Sequence, residues 1–378
     1  MNTLVSISPL ESTPSADERL RSHHVERIPV VVIAMHEGCD CRCVMCDIWK
    51  MRAPEEIRTR DLERQLDSFA KLGVRWIVLT GGEAYRHSHF EEFTTALKAR
   101  GIRVTLLTAG LVEERDARKI SAGADDIIVS LDGPPPIHDR VRRVPRAFER
   151  LESGIRLLRS IRPGFPVQAR CTVQRANHNA LTTTIDCAQT LELDSVSFLP
   201  ADLTSTAFNR PESWNLSRQN GVGLDDSQVE ALEEEIERVI RYYDCGGFVV
   251  ETPEKLRRIA LHFRAHLGQA SPVSPRCNAP WVSAFIEARG EVRPCFFHPP
   301  MGNISLTGFD QIINGVDALR FRSTLDIRTN PTCQRCVCSL YLARPNEAEF
   351  RSEQAGAAAP KGSGSGLEAD ASPSKYSK

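Results

Sequence analysis

Long hydrophobic runs are missing from this chain. Its apolar stretches, such as Val30–Met35, are far shorter than the roughly 18–20 residues of a membrane-crossing helix. Residues 1–27 are polar and lack the apolar stretch of a secretory signal. No membrane or export is therefore expected, and the setting read from the sequence is cytoplasmic. Charge of one sign is also lacking: 48 Lys and Arg stand against 49 Asp and Glu, a formal net charge of −1. That balance argues against a nucleic-acid footprint. No run of basic, acidic or aromatic residues singles out a substrate. What is present is a chain of 378 residues, 41% hydrophobic, with 12 cysteines. This is enough apolar material for a large core and a small second one. In a long, unsecreted chain so many thiols point to metal or redox work rather than disulfides.

Residues 1–27 and 346–378 have the composition of unstructured segments, the latter rich in Gly, Ser, Ala and Pro. Between them, strand-like runs alternate with amphipathic segments. The strand-like runs are 29–35, 74–79, 102–107, 126–131, 167–173 and 195–198; helices are expected near 60–72, 90–100, 112–121, 146–161 and 178–191. Six such units imply a parallel sheet with helices outside it, either an incomplete TIM-like barrel or an open doubly wound sheet. In a barrel the chemistry collects at the strand C-termini. The β/α body is expected over 28–200, a helical linking segment over 201–276 with helices near 225–243 and 253–267, and a small cysteine-bearing module over 277–345. The last is read as short strands at 281–286 and 292–297 and a helix near 308–321.

Directly after the first strand comes C-x3-C-x2-C, formed by Cys39, Cys43 and Cys46, with Cys41 inside the first interval. Three thiolates on a short loop can hold three irons of a 4Fe-4S cube and leave the fourth open to another ligand. A zinc site completed by Cys41 or a distant His is the plain alternative, but no second Cys knuckle lies in this part of the chain. The next strand ends in Gly81-Gly82-Glu83. Glycines permit close backbone approach, and a carboxylate there can accept bonds from an ammonium. The fourth strand runs into Ser130-Leu-Asp132-Gly133, followed by His138-Asp139 and Arg142.

This combination resembles the radical S-adenosylmethionine (SAM) superfamily. The resemblance implies a partial (β/α)6 barrel, a SAM-binding 4Fe-4S cluster on Cys39, Cys43 and Cys46, and hydrogen abstraction by a 5′-deoxyadenosyl radical. It implies that Gly81, Gly82 and Glu83 hold the methionine amino group, that Met45 borders the adenine where relatives have an aromatic residue, and that Ser130 and Asp132 face the cofactor. Asp132 can equally close its turn. Arg142 and Arg170 are possible partners for the methionine carboxylate. The family's Thr-Asn-Gly is here Thr108-Ala109-Gly110, without the Asn. An electron donor such as flavodoxin or ferredoxin is implied as a partner.

In the C-terminal module Cys277, Gly290-x4-Cys295, Gly302-Asn303-Ile304 and Cys333-x2-Cys336 follow in order, with Cys338 close behind. Two distant pairs of thiolates can close a zinc site or a 4Fe-4S cube. The order resembles the start of the SPASM domain and its shortened twitch relative. This implies one auxiliary 4Fe-4S cluster on Cys277, Cys295, Cys333 and Cys336, with Cys338 a reserve for the last ligand. The resemblance implies a small-metabolite oxidoreductase in which that cluster takes the second electron, in the manner of twitch-bearing aminocyclitol dehydrogenases. The alternatives are a maturase that crosslinks a ribosomal precursor peptide, a redox-neutral radical reaction, and a zinc-binding scaffold. The 28 or so residues before the first strand are too few for a winged-helix leader-binding domain, which weighs against the maturase. The catalytic base is left unassigned; His36, His87 and His138 lie near strand ends.

Overall fold

The computed structural model describes Leu20 and residues 22–343; the tail expected over 346–378 lies outside them. Six parallel strands form in the expected places: β1 (Val30–His36), β2 (Trp76–Gly81), β3 (Arg103–Thr108), β4 (Asp126–Ser130), β5 (Val167–Val173) and β6 (Ser195–Pro200). Their order in the sheet is the order in the chain. Right-handed crossovers between strands laid down in sequence put every helix on the same face. A doubly wound sheet instead needs a reversal of order to use both faces. The crossover helices therefore lie on one face, as in a partial barrel. Burial agrees: Val31, Ile33 and Met35 of β1 are sealed under helices, while Val32, Ala34 and His36 are half-buried on the inner face. On that face β4, β5 and β6 carry Ser130, Arg170 and Ser197 side by side.

The C-terminal module extends this sheet. Strand β7 (Ser283–Ile286) pairs parallel with β1, and β8 (Glu291–Arg293) and β9 (Gly302–Asn303) add antiparallel strands beyond it. The described residues up to Tyr341 pack as one unit, so the expected β/α body, linking segment and most of the cysteine module are parts of one body. Gly290, in the left-handed region at φ +83°, turns β7 into β8, and a Cβ there would lie 2.8 Å from Asn303 Oδ1. That is the reason for the Gly290 and Gly302-Asn303-Ile304 pattern, since Ile304 N donates to Gly290 O.

Several boundaries differ from the sequence reading, each for a visible reason. Residues 22–27 are not a free segment: Val25 is buried, and its backbone exchanges hydrogen bonds with the Asn314 side chain. The helix expected at 60–72 is two, Thr59–Glu63 and Leu66–Lys71. Between them Gln65 is buried and bonds Asp61 O, Ile304 O and Phe309 N. The helix expected at 308–321 breaks at Asn314-Gly315 into Phe309–Ile313 and Val316–Thr324. Pro135–Arg142 and Leu216–Val222 form helices that periodicity did not mark. The helix Asp226–Tyr242 starts where expected, with a capping box between Asp225 and Gln228.

Candidate active site

The loop after β1 carries Cys39, Cys41, Cys43 and Cys46 at the C-terminal mouth of the barrel, and neighbours tie it down from three sides. Arg42 N and Val44 N donate to Arg142 O and Val141 O of the helix Pro135–Arg142. The buried Arg142 donates from Nη1 to Cys43 Sγ at 3.4 Å and pairs through Nη2 with Asp132 Oδ2 at 2.6 Å. From β2, Gly82 N reaches His36 O at 2.7 Å and Glu83 N reaches Gly38 O at 2.9 Å. A Cβ on Gly82 would stand 2.3 Å from Gly38 O, and one on Gly81 2.4 Å from His36 O. The two glycines therefore let the backbone press onto the cysteine loop, which their sequence context alone does not reveal.

Glu83 is the side chain left poised for a ligand. It is 2% exposed, its Oε2 accepts from Ala109 N at 3.0 Å, and Oε1 has no hydrogen-bond partner among the described residues. Burial, with the Cys39 charge next, pushes its carboxyl up to about 8. A buried carboxylate with an open acceptor suits a ligand ammonium. Ser130 is half-buried on the inner face between Ile128 and the strand end, and Arg170 stands beside it in register. Met45 is half-buried, packed against the core and the thiol loop.

Asp132, expected either to face the cofactor or to close its turn, sits in a buried pair. Its side chain is fully enclosed, accepting from Thr172 N at 3.0 Å and pairing with Arg142. Arg142 is engaged in the same pair, which leaves Arg170 as the accessible member of the two arginines. Its Nε donates to Ser197 Oγ, and its side chain lines a small cavity with Glu251, Lys255 and Cys338. His87 and His138 are both fully buried. His87 is bonded to Ile57 O and His138 accepts from Asp132 N. Burial, then the Arg142 charge, lowers His138 to about 3. These two histidines hold loops.

The thiols of the first loop are unlike one another. The Cys41 hydrogen bond, opposed by burial and helped by Arg142, brings Cys43 down to about 6, whereas burial pushes Cys46 up to about 12. Cys41, set aside in the sequence reading, is buried and hydrogen-bonded to both Cys39 and Cys43. In the C-terminal module burial first, and then the charge of neighbouring thiols that include Cys277, raises the thiols of Cys295, Cys333 and Cys336. Cys338 is exposed, and its carbonyl accepts from Cys336 Sγ at 2.8 Å. His298, absent from the sequence reading, lies buried with Nε2 at 3.4 Å from Cys333 Sγ.

The sequence model of the radical SAM superfamily matches residues 33–174. That of SPASM, an iron–sulfur cluster-binding domain, matches residues 277–337. The chain is a radical SAM protein with a C-terminal SPASM domain. The SPASM match stops one residue before Cys338. Among curated relatives, an AdoMet-dependent heme synthase of Methanosarcina barkeri is 26% identical over 75% of this chain and 81% of its own. The antilisterial bacteriocin subtilosin biosynthesis protein AlbA of Bacillus subtilis is also 26% identical, over 73% of this chain and 57% of its own. Among solved structures, Streptococcus suis SuiB bound to precursor peptide SuiA shares the fold, with a TM-score of 0.59 at 13% identity over 90% of this chain and 80% of that one.

In this radical SAM protein the segment before the helix Leu216–Val222 clamps the first cysteine loop, a role with no sequence motif to announce it. Trp214 Nε1 donates to Asp47 Oδ2 at 2.6 Å, and Arg218 Nη2 donates to Val44 O at 2.6 Å. Arg210 donates to Met45 O, pairs with Asp202 at 2.6 Å and stacks 3.7 Å from the Trp214 ring. Phe208 then meets Phe296, next to Cys295, at a ring spacing of 4.9 Å. The clamp thus touches both cysteine sites. Among the described residues no helix is long and apolar enough to cross a membrane.

Proposed function

We propose that the protein is a radical SAM oxidoreductase that removes a hydrogen atom from a small metabolite and passes the second electron to an auxiliary cluster. The observation that carries the reading is Glu83, a buried carboxylate with an unpartnered oxygen at the mouth of a barrel beside three loop thiols. Cys39, Cys43 and Cys46 would hold one 4Fe-4S cluster and Cys277, Cys295, Cys333 and Cys336 the other. The donor sets fit: three thiols leave one iron open, four close a cube. When bound, the first cluster and SAM together supply a 5′-deoxyadenosyl radical.

The chain's own residues supply the rest. Glu83 accepts from the methionine ammonium, Gly81 and Gly82 hold that strand end against the cysteine loop, and Met45 packs on the adenine. Ser130 and Arg170, side by side on neighbouring strands, would hold the methionine carboxylate. Asp132 and Arg142 act one layer back: their pair fixes Cys43. A substrate would meet an inner face that carries small and polar residues, Ala34, Thr80, Ser130 and Ser197 among them. A maturase reading draws support from the likeness to AlbA, which acts in bacteriocin biosynthesis by its name.

Anaerobically reconstituted protein should cleave SAM to 5′-deoxyadenosine under reduction, and replacing Cys39, Cys43 and Cys46 together by Ala should abolish it. Persistence of cleavage in that variant would refute the assignment. Zinc without labile sulfide in the wild type would refute it as well.

A further inference from the structure

We propose that a patch of arginines beside the first cysteine loop is the docking face for an acidic one-electron carrier protein. The inference rests on the proposed function, which needs an electron delivered to the first cluster from outside the chain. A cavity of about 670 Å3 is lined by Arg140, Arg143, Arg175 and Arg218 without one Asp or Glu. Arg175 and Arg218 are partly compensated, by Asp225 at 3.2 Å and Asp47 at 3.7 Å. Arg140 and Arg143 are exposed and have no ion-pair partner among the described residues. The chain as a whole is balanced at a formal net charge of −1, so this excess is local.

Its position gives it meaning. Val44 is among the lining residues, and Val44 directly follows Cys43 and precedes Cys46 by two residues. Arg218 touches the Val44 carbonyl, and Arg143 directly follows Arg142, whose guanidinium reaches Cys43 Sγ. A carrier seated here would contact the cysteine loop itself through Val44. Electron-transfer rates fall steeply with distance, which makes this a favourable point of entry. A cationic face steers an anionic partner and is screened by salt. In the step itself a flavin hydroquinone in the carrier loses one electron and becomes a semiquinone, and the first cluster is reduced by one electron. No bond is made or broken at the patch.

The test uses the full chain with both clusters, and its variant Arg140→Glu/Arg143→Glu, with flavodoxin as the probe. Two quantities are read: flavodoxin binding, in both apo and cluster-loaded protein, and SAM cleavage driven either by flavodoxin hydroquinone or by dithionite. The expected result is binding weakened by about 10-fold or more at low salt in the variant, with loss of most of the salt dependence. Flavodoxin-driven cleavage falls in step, while dithionite-driven cleavage matches the wild type. Arg140→Lys/Arg143→Lys retains binding. Equal binding by wild type and the Glu variant would overturn the proposal. So would a parallel fall in dithionite-driven cleavage, which would mean the arginines act through the cysteine loop. Direct binding of tripolyphosphate without any flavodoxin binding would make the patch a small-anion site and overturn it too. Absence of dithionite-driven cleavage in the wild type would count against the proposed function, while the binding arm still reads the patch.

Discussion

The two cysteine sites are built by opposite strategies. The first is local in sequence, with Cys39 to Cys46 on one loop, and its rigidity comes from surrounding elements: Arg142, Glu83, Trp214 and Arg218 all bond the loop. The second is assembled from distant segments, with Cys277 before β7, Cys295 after β8 and Cys333 and Cys336 on the last turn. Two of its thiols flank the strands β7 and β8, and Cys333 lies in the short helix Pro331–Gln334. A local loop can present three thiols and leave one direction open, where Glu83 waits. Ligands gathered from separate strands enclose their centre. On the proposed function the open site would serve SAM chemistry and the second site electron storage.

The largest effect expected from breaking this contrast is in iron content. Wild type should hold about eight iron atoms per chain in two cubes, measurable by iron and sulfide analysis. Replacing Cys39, Cys43 and Cys46 by Ala should leave about four. Replacing Cys277 and Cys295 should also leave about four, and retention of both clusters there would contradict two separate sites.

Next in size is the support behind the first loop. Asp132→Ala strands Arg142 as a buried unpaired charge, and breaking such a pair costs about 3–5 kcal/mol, read by chemical denaturation of the apo-protein. The same change should move the reduction potential of the first cluster and leave the second unmoved. Gly82→Ala should cost about 1–3 kcal/mol through overpacking against Gly38 O.

A subtler effect is in pH. Glu83 is raised to about 8 in the fold from an ordinary 4.5. Between these values the folded state binds more protons than the unfolded state. Its contribution to stability is therefore full below about 4.5 and lost as pH rises through about 8. Thermal unfolding of apo wild type should drop relative to Glu83→Gln across that window, and SAM should shrink the drop. Matching slopes in the two proteins would remove the ligand-ready carboxylate from the account. Smallest of all, Cys338→Ser should leave both clusters intact, whereas Cys336→Ser should damage the second.

The sequence carried the strand positions, because apolar runs and β/α alternation survive in one dimension, while the choice of a partial barrel over a doubly wound sheet came from the family resemblance and the observed strand order. It also carried the thiol spacings and Gly81-Gly82-Glu83, since those ligands are close in sequence or set in a repeated order. What it did not carry depends on contacts between distant residues. Asp132 was expected to face the cofactor; only the fold shows Arg142, ten residues on, closing over it. His298 beside Cys333 and the Arg210–Trp214 clamp lie on irregular segments with no period to read. The helices Pro135–Arg142 and Leu216–Val222 are too short for a hydrophobic stripe to declare them.

The central claim is that the first loop holds an open cluster to which SAM binds through Glu83. Electron paramagnetic resonance of the reduced Cys277→Ala/Cys295→Ala variant, which isolates that cluster, tests it most directly. The account predicts a spectrum that shifts when SAM is added, and a shift that needs a markedly higher SAM concentration after Glu83→Ala. A spectrum unchanged by SAM would contradict it.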